Sequence, residues 1–178
     1  MEKIPVHIGE MLTAGKLVSL LEWDKYPRLR QKMIDLLARR PHSRLELKQK
    51  AMKTGFTAEL AEDIINALAD SGYVNDAGFA EALARDKFKH NKWGPNRIKA
   101  ALKIKGITDR QINEALETIS DPAAQEHQMR KLLEKQQVKF RKEPDFLKRR
   151  KKAYDFLLRK GYRHSDVMKI IEQENYLL

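Results

Sequence analysis

Lys99 and Lys103 stand four residues apart, Arg97 and Lys105 extend the same run, and farther along Lys148, Arg149, Arg150, Lys151 and Lys152 are consecutive, followed by Arg159, Lys160 and Arg163. Residues four apart share a helix face, so part of each run presents an aligned row of cations. The chemistry such a row performs is neutralisation of phosphates, with release of their counterions. A solvated face laced with salt bridges is the competing reading. Five consecutive basic residues resist it, because Asp145 and Asp155 are the nearby acids on that stretch. Trp93, Tyr154 and Tyr162 lie among these charges, placed to stack on bases or, as is commoner, to pack on neighbouring helices.

Other chemistries find little footing. Gly9-Glu-Met-Leu-Thr-Ala-Gly15-Lys16-Leu17 has five residues between its glycines and Leu where a phosphate-binding loop needs Ser or Thr for magnesium. His7, His42, His90, His127 and His164 are scattered, and none has a His or carboxylate at the helical spacing of a zinc or nuclease site. His164-Ser165-Asp166 carries the letters of a catalytic triad, yet three adjacent residues cannot align nucleophile, base and acid. Ser165 or Asp166 reads instead as the cap of the last helix. No catalytic residue, metal-ligand set or cofactor site is read from this chain, and its lack of cysteine excludes disulfides and thiolate metal centres.

The elements that must position the cations follow from composition and periodicity. The 178 residues are 42% hydrophobic, 34% charged and 7% aromatic, the profile of a helical protein with a large wetted surface. The net charge of +11 rises along the chain, from −2 over residues 1–24 to +3 over 25–76, +4 over 77–120 and +6 over 121–178, which favours a polyanionic partner. No stretch approaches a membrane helix, and Met1-Glu2-Lys3-Ile4-Pro5 lacks the basic-then-apolar order of a secretory signal, so a cytoplasmic location is expected.

Apolar residues recur with helical spacing, as in Leu60, Ala61, Ile64, Ile65 and Leu68, and strand alternation is nowhere sustained. The expected fold is all-α, with helices near 28–39, 43–53, 57–70, 77–91, 95–104, 109–119, 122–140, 144–159 and 165–174. Ser43 with Glu46 and Thr108 with Gln111 form capping boxes, Thr57 holds the equivalent place after Gly55, Pro95 and Pro122 suit first turns, and Glu143-Pro144 breaks the C-terminal run. Gly55, Gly106 and Gly161 each end a basic helical run. Aligned on them, Ala51, Leu102 and Leu157 stand four residues earlier, Leu47, Ile98 and Ala153 eight earlier, and Ile65, Leu116 and Ile171 ten later. Upstream helices contribute Met33 and Leu37, Phe79 and Leu83, Met129 and Leu133. This is one three-helix unit used three times, over 25–76, 77–120 and 121–178. Residues 1–24 stand apart, with Ile4, Val6 and Ile8 in alternation before an apolar run that suits a short strand and then a helix.

Three segments match a family in order and spacing. Arg39-Arg40-Pro41-His42-Ser43-Arg44-Leu45-Glu46-Leu47, then Leu68-Ala69-Asp70-Ser71-Gly72-Tyr73-Val74-Asn75-Asp76-Ala77-Gly78-Phe79-Ala80, then Gly94-Pro95-Asn96-Arg97-Ile98 through Leu102-Lys103-Ile104-Lys105-Gly106-Ile107 resemble the RecX family of bacterial regulatory proteins. Phe156-Leu157-Leu158-Arg159-Lys160-Gly161-Tyr162 looks like the matching part of its third repeat. The resemblance implies an elongated, curved array of three three-helix repeats with no catalysis of its own. It also implies a protein that binds the RecA nucleoprotein filament and mostly inhibits ATP hydrolysis, strand exchange and co-protease activity. Single- and double-stranded DNA are expected partners through electrostatics, a membrane is not, and a monomer is expected. A general DNA- or RNA-coating protein acting without a recombinase is the alternative.

Overall fold

The computed structural model describes residues 13–173, with the backbone alone for 14–23. Among the described residues there are nine α-helices and no strand. They are α1 (Ala14–Arg39), α2 (Arg44–Met52), α3 (Ala58–Asp70), α4 (Asp76–Lys89), α5 (Pro95–Ile104), α6 (Asp109–Glu117), α7 (Pro122–Phe140), α8 (Phe146–Lys160) and α9 (His164–Gln173). The strand suggested by Ile4, Val6 and Ile8 lies outside the described residues.

Helix starts follow from side chains that satisfy the first free backbone N–H groups. Ser43 accepts from the Glu46 N–H at 3.2 Å while the Glu46 carboxylate accepts from the Ser43 N–H at 3.4 Å, and Thr108 and Gln111 do the same for α6. Thr57 caps α3, Asp121 caps α7, and Asp145 accepts from the N–H groups of Leu147 and Lys148 at the head of α8. Ser43 and Glu46 are both buried, so their box has no water to replace it. Ser43→Ala is expected to cost about 1.5 kcal/mol, and Thr108→Ala, at an exposed box, about half that. Urea unfolding of both variants checks the order.

Two sequence expectations give way. The first helix begins at Ala14 rather than near residue 28 and runs through Pro27. A proline inside a helix loses one rung and is usually a stop, but here Leu29 and Met33, just beyond it, are both 1% exposed in the first core. Tertiary burial outweighs the local penalty. Likewise α9 starts at His164, so Ser165 and Asp166 lie in its first turn rather than at its cap. The Asp166 carboxylate there faces the positive end of the helix dipole.

The chain divides after Asn75 into two compact units. In the first, α1, α2 and α3 enclose Leu29, Met33, Leu47, Ala51, Ile64, Ile65 and Leu68. The second holds two triples, each with its own core. Around α4, α5 and α6 it is built from Phe79, Ala80, Ile98, Leu102 and Ile112, and around α7, α8 and α9 from Met129, Leu133, Leu157, Val167 and Ile170. Each fully buried aliphatic side chain contributes about 1.5–3 kcal/mol. The register read from the glycines places Leu47, Ile98 and Ala153 at 0% exposure, and Ala51, Leu102 and Leu157 at no more than 2%. Leu37, Leu83 and Leu116 sit at the core margins instead, and beside Leu116 it is Ala115 that is fully enclosed.

The three helix stops share one hydrogen-bond pattern. Phe56, Ile107 and Tyr162 donate to the carbonyls of Ala51, Leu102 and Leu157, and Gly55, Gly106 and Gly161 donate to Met52, Lys103 and Leu158. This is the Schellman arrangement, which requires a left-handed residue. The glycines supply it at φ +86°, +76° and +92°. A fourth stop of the same kind, not anticipated from the sequence, ends α3: Tyr73 donates to Leu68 and Gly72 to Ala69, with Gly72 at φ +77°.

Candidate nucleic-acid interface

Helix α8 sorts its cations by face. Ala153 and Leu157 are wholly buried, with Arg149, Phe156 and Lys160 half-buried beside them. Positions 148, 151, 152 and 159 turn outward, where Lys148, Lys151, Lys152 and Arg159 are exposed. The five-residue block therefore does not act as one row. Arg149 is partly buried, its Nε has no hydrogen-bond partner, and its guanidinium reaches back to the Pro144 carbonyl at 3.4 Å. Arg150 lies over the Phe146 ring at 5.8 Å. Lys152 pairs with Glu143 at 2.5 Å, and the lysine beside it holds the Glu143 carboxyl below the usual carboxylate range. Glu143, outside the helix, is a neutralising acid that a scan of α8 alone misses. Among the described residues Lys148 and Lys151 have no carboxylate within salt-bridge distance.

On α5 the expected row is present but partly shared. Lys99 and Lys103 lie one turn apart, and Lys103 is paired with Asp109 at 3.2 Å. Lys105 forms the C-terminal cap residue of the helix. Arg97, at the other end, is exposed and lies over the Trp93 ring with its guanidinium carbon 4.2 Å from the centroid. Such a contact orients the cation while leaving its charge available.

Within the second unit the two triples meet backbone to backbone. Gly94 donates to the Lys160 carbonyl at 2.8 Å and Asn96 to the Gly161 carbonyl at 2.9 Å. The approach is so close that a Cβ on Gly94 would stand 2.4 Å from the Gly161 carbonyl carbon, and one on Gly161 would stand 2.4 Å from the Arg97 Cβ. Tyr162, 1% exposed, directs its hydroxyl at the Gln128 side-chain oxygen at 3.2 Å and the Lys92 carbonyl at 3.4 Å. Burial pushes its phenol well above the ordinary range, so it stays a neutral donor. Packing, not base stacking, is what Tyr162 does.

This joint gathers three of the expected contact residues. Arg97 donates to the Arg159 carbonyl at 3.4 Å, and Lys160 reaches the Asn91 carbonyl at 3.5 Å. Residues 97, 159 and 160 thus form one cluster, whereas Lys103 lies at the far end of α5. Arg163 lies with Asp166 and Lys169 beside a shallow depression between α7 and α9. Lys92, Lys131 and Lys135 also stand near the joint, lining one cleft with Lys160. The sequence reading passed over them. Lys131 and Lys135 carry the same four-residue spacing as Lys99 and Lys103, the signal that could have found them.

The triad letters do not assemble. Ser165 Oγ bonds the Asp166 carboxylate, and His164 Nδ1 faces the Tyr154 hydroxyl at 2.5 Å. Among the described residues no group of three or more His, Cys, Asp or Glu is placed to hold a metal ion, and no helix is long and apolar enough to cross a membrane.

Comparison with known proteins gives these surfaces a setting. Family models described as the first and second three-helix domains of RecX match residues 30–68 and 75–116. A regulatory protein RecX of Listeria monocytogenes serotype 4b (strain CLIP80459) is 31% identical over 119 residues, covering 67% of this chain and 44% of that protein. The match thus spans less than half the length of that relative. The regulatory protein RecX of Xanthomonas axonopodis pv. citri (strain 306) is 30% identical over 138 residues, 77% of this chain and 82% of that one. The crystal structure of RecX from Lactobacillus salivarius superposes with a TM-score of 0.76 at 26% identity, covering 87% of this chain and 99% of the other. With four-fifths of the Xanthomonas protein aligned and the same helical architecture in a solved relative, the chain belongs to the RecX family of regulatory proteins.

Proposed function

We propose that this chain is a non-catalytic regulator that binds the RecA nucleoprotein filament and mostly inhibits RecA ATP hydrolysis, strand exchange and co-protease activity. Family membership makes RecA the partner to test first. The observation that carries the contact surface is the sorting of α8, which leaves Lys148, Lys151 and Arg159 outward on a helix whose core is fully packed. Arg97 extends that surface across the joint, Lys160 adds charge from the neighbouring cleft, and Lys99, Lys103, Lys105 and Arg163 add flanking charge. Repeated modules that each bind weakly gain avidity when they engage a repeating polymer together.

A titration of RecA ATPase on single-stranded DNA tests the reading. Inhibition is expected at amounts well below those needed to cover the DNA, because a filament regulator acts on an assembly. Inhibition that appears only when the DNA is saturated would replace this proposal with the general coating protein.

A further inference from the structure

Between the loop that follows α4, the middle of α7 and the C-terminal half of α8 lies a cleft of about 730 Å³. Lys92, Lys131, Lys135 and Lys160 line it, with His90 at its edge, and Glu134 is the single carboxylate among its walls. Lys131 and Lys135 are exposed and, among the described residues, their side chains make no ion pair or hydrogen bond. The ammonium groups of Lys92 and Lys160 rest on the carbonyls of Lys89 and Asn91 at 2.7 and 3.5 Å, neutral acceptors that leave both charges uncompensated. The floor is apolar, made by Leu132 and the ring of Phe156. Phe140 braces that ring edge-on at 6.0 Å, and Lys160 stands over it at 6.0 Å.

The backbone of this wall is also unusual. Lys92 takes φ +54°, the one left-handed residue other than glycine among those described. A lysine avoids that region unless its surroundings impose it, and such positions gather at binding sites. Here Trp93 donates to the Lys87 carbonyl and the Tyr162 hydroxyl reaches the Lys92 carbonyl, so the loop is fixed before any ligand arrives.

We infer that this cleft binds a short stretch of single-stranded nucleic acid, with phosphates on Lys131, Lys135 and Lys92 and an unpaired base on the Phe156 ring. Lys131 and Lys135 are one helical turn apart, about 5.4 Å along the axis, which suits adjacent phosphates of an extended strand. Cations at the rim and an aromatic ring recessed below them are the two parts of a single-strand site. A duplex keeps its bases stacked inside and presents phosphates alone, so it can use the rim but not the floor. The inference goes beyond the filament reading, because it requires no recombinase.

The test is fluorescence anisotropy of a labelled oligothymidylate of about twelve nucleotides, without RecA, against a duplex of equal length. The K131E/K135E variant is expected to lose about tenfold in affinity for the single strand, with the slope of log affinity against log salt falling by about 1.4. Phe156→Leu keeps an apolar filler and is expected to lose about fivefold on the single strand and little on the duplex. Photocrosslinking of a strand carrying 5-iododeoxyuridine is expected to label the peptide containing Phe156. The surface pair K131E/K135E does not touch a core, so it remains decisive if Phe156→Leu unfolds. Unchanged single-strand affinity in K131E/K135E, or equal losses on strand and duplex in Phe156→Leu, overturns the inference. The RecA ATPase titration stands separately. Loss of naked-strand binding by K131E/K135E with undiminished RecA inhibition supports the cleft and leaves the filament reading intact.

Discussion

Gly161→Ala is expected to destabilise the second unit by about 4 kcal/mol. Left-handed backbone at φ +92° accounts for about 1–2 kcal/mol of this. Overpacking adds about 1–3 kcal/mol, because the new Cβ would meet the Arg97 Cβ at 2.4 Å and the Arg97 nitrogen at 2.5 Å. Both neighbours belong to the first turn of a helix whose core residue Ile98 is fully buried, so they cannot step aside. Gly55→Ala provides the internal comparison. It has nearly the same φ, +86°, but nothing stands within 4 Å of its Cβ, so its cost stays near the conformational 1–2 kcal/mol. Calorimetry on the full chain, with hydrogen exchange assigning each shifted transition, measures both. Equal shifts for the two variants would show that the joint has no special sensitivity.

Reversing Lys148, Lys151 and Arg159 together (K148E/K151E/R159E) is expected to weaken binding to RecA-coated DNA about 50-fold near physiological salt and to reduce the salt slope by about 2. These three share the outward face of α8 and are exposed, and the fold makes little use of them. Lys103→Ala is expected to change affinity by less than about threefold, since Asp109 already offsets part of that charge at 3.2 Å. Equilibrium binding across a salt series distinguishes the cases. An unchanged curve for the triple variant places the interface on another face.

The sequence displayed its local signals plainly. Capping boxes at Ser43 and Thr108, proline at the first turns of α5 and α7, and glycine stops all depend on residues within a turn or two of one another. They could be read without knowing what the helices touch. What escaped reading depends on distant partners. Pro27 looks like a helix start until Leu29 and Met33 are seen in a core. Lys152 looks free until Glu143 folds back over it. The cleft draws Lys92, Lys131 and Lys160 from three separate elements, and no spacing along the chain brings them together. Gly161 could be recognised as a stop, but its contact with Gly94 could not.

That contact sets a compatibility rule for rearranging such arrays. A module seated against the second triple needs more than a matching core, since its helix stop must also slot, without a Cβ, into a turn that itself lacks one. A transplanted third triple whose stop is asparagine, acceptable elsewhere for a left-handed residue, would be rejected at this seat. Recombining modules among relatives should therefore succeed only when the two glycines, 67 positions apart in this chain, travel as a pair.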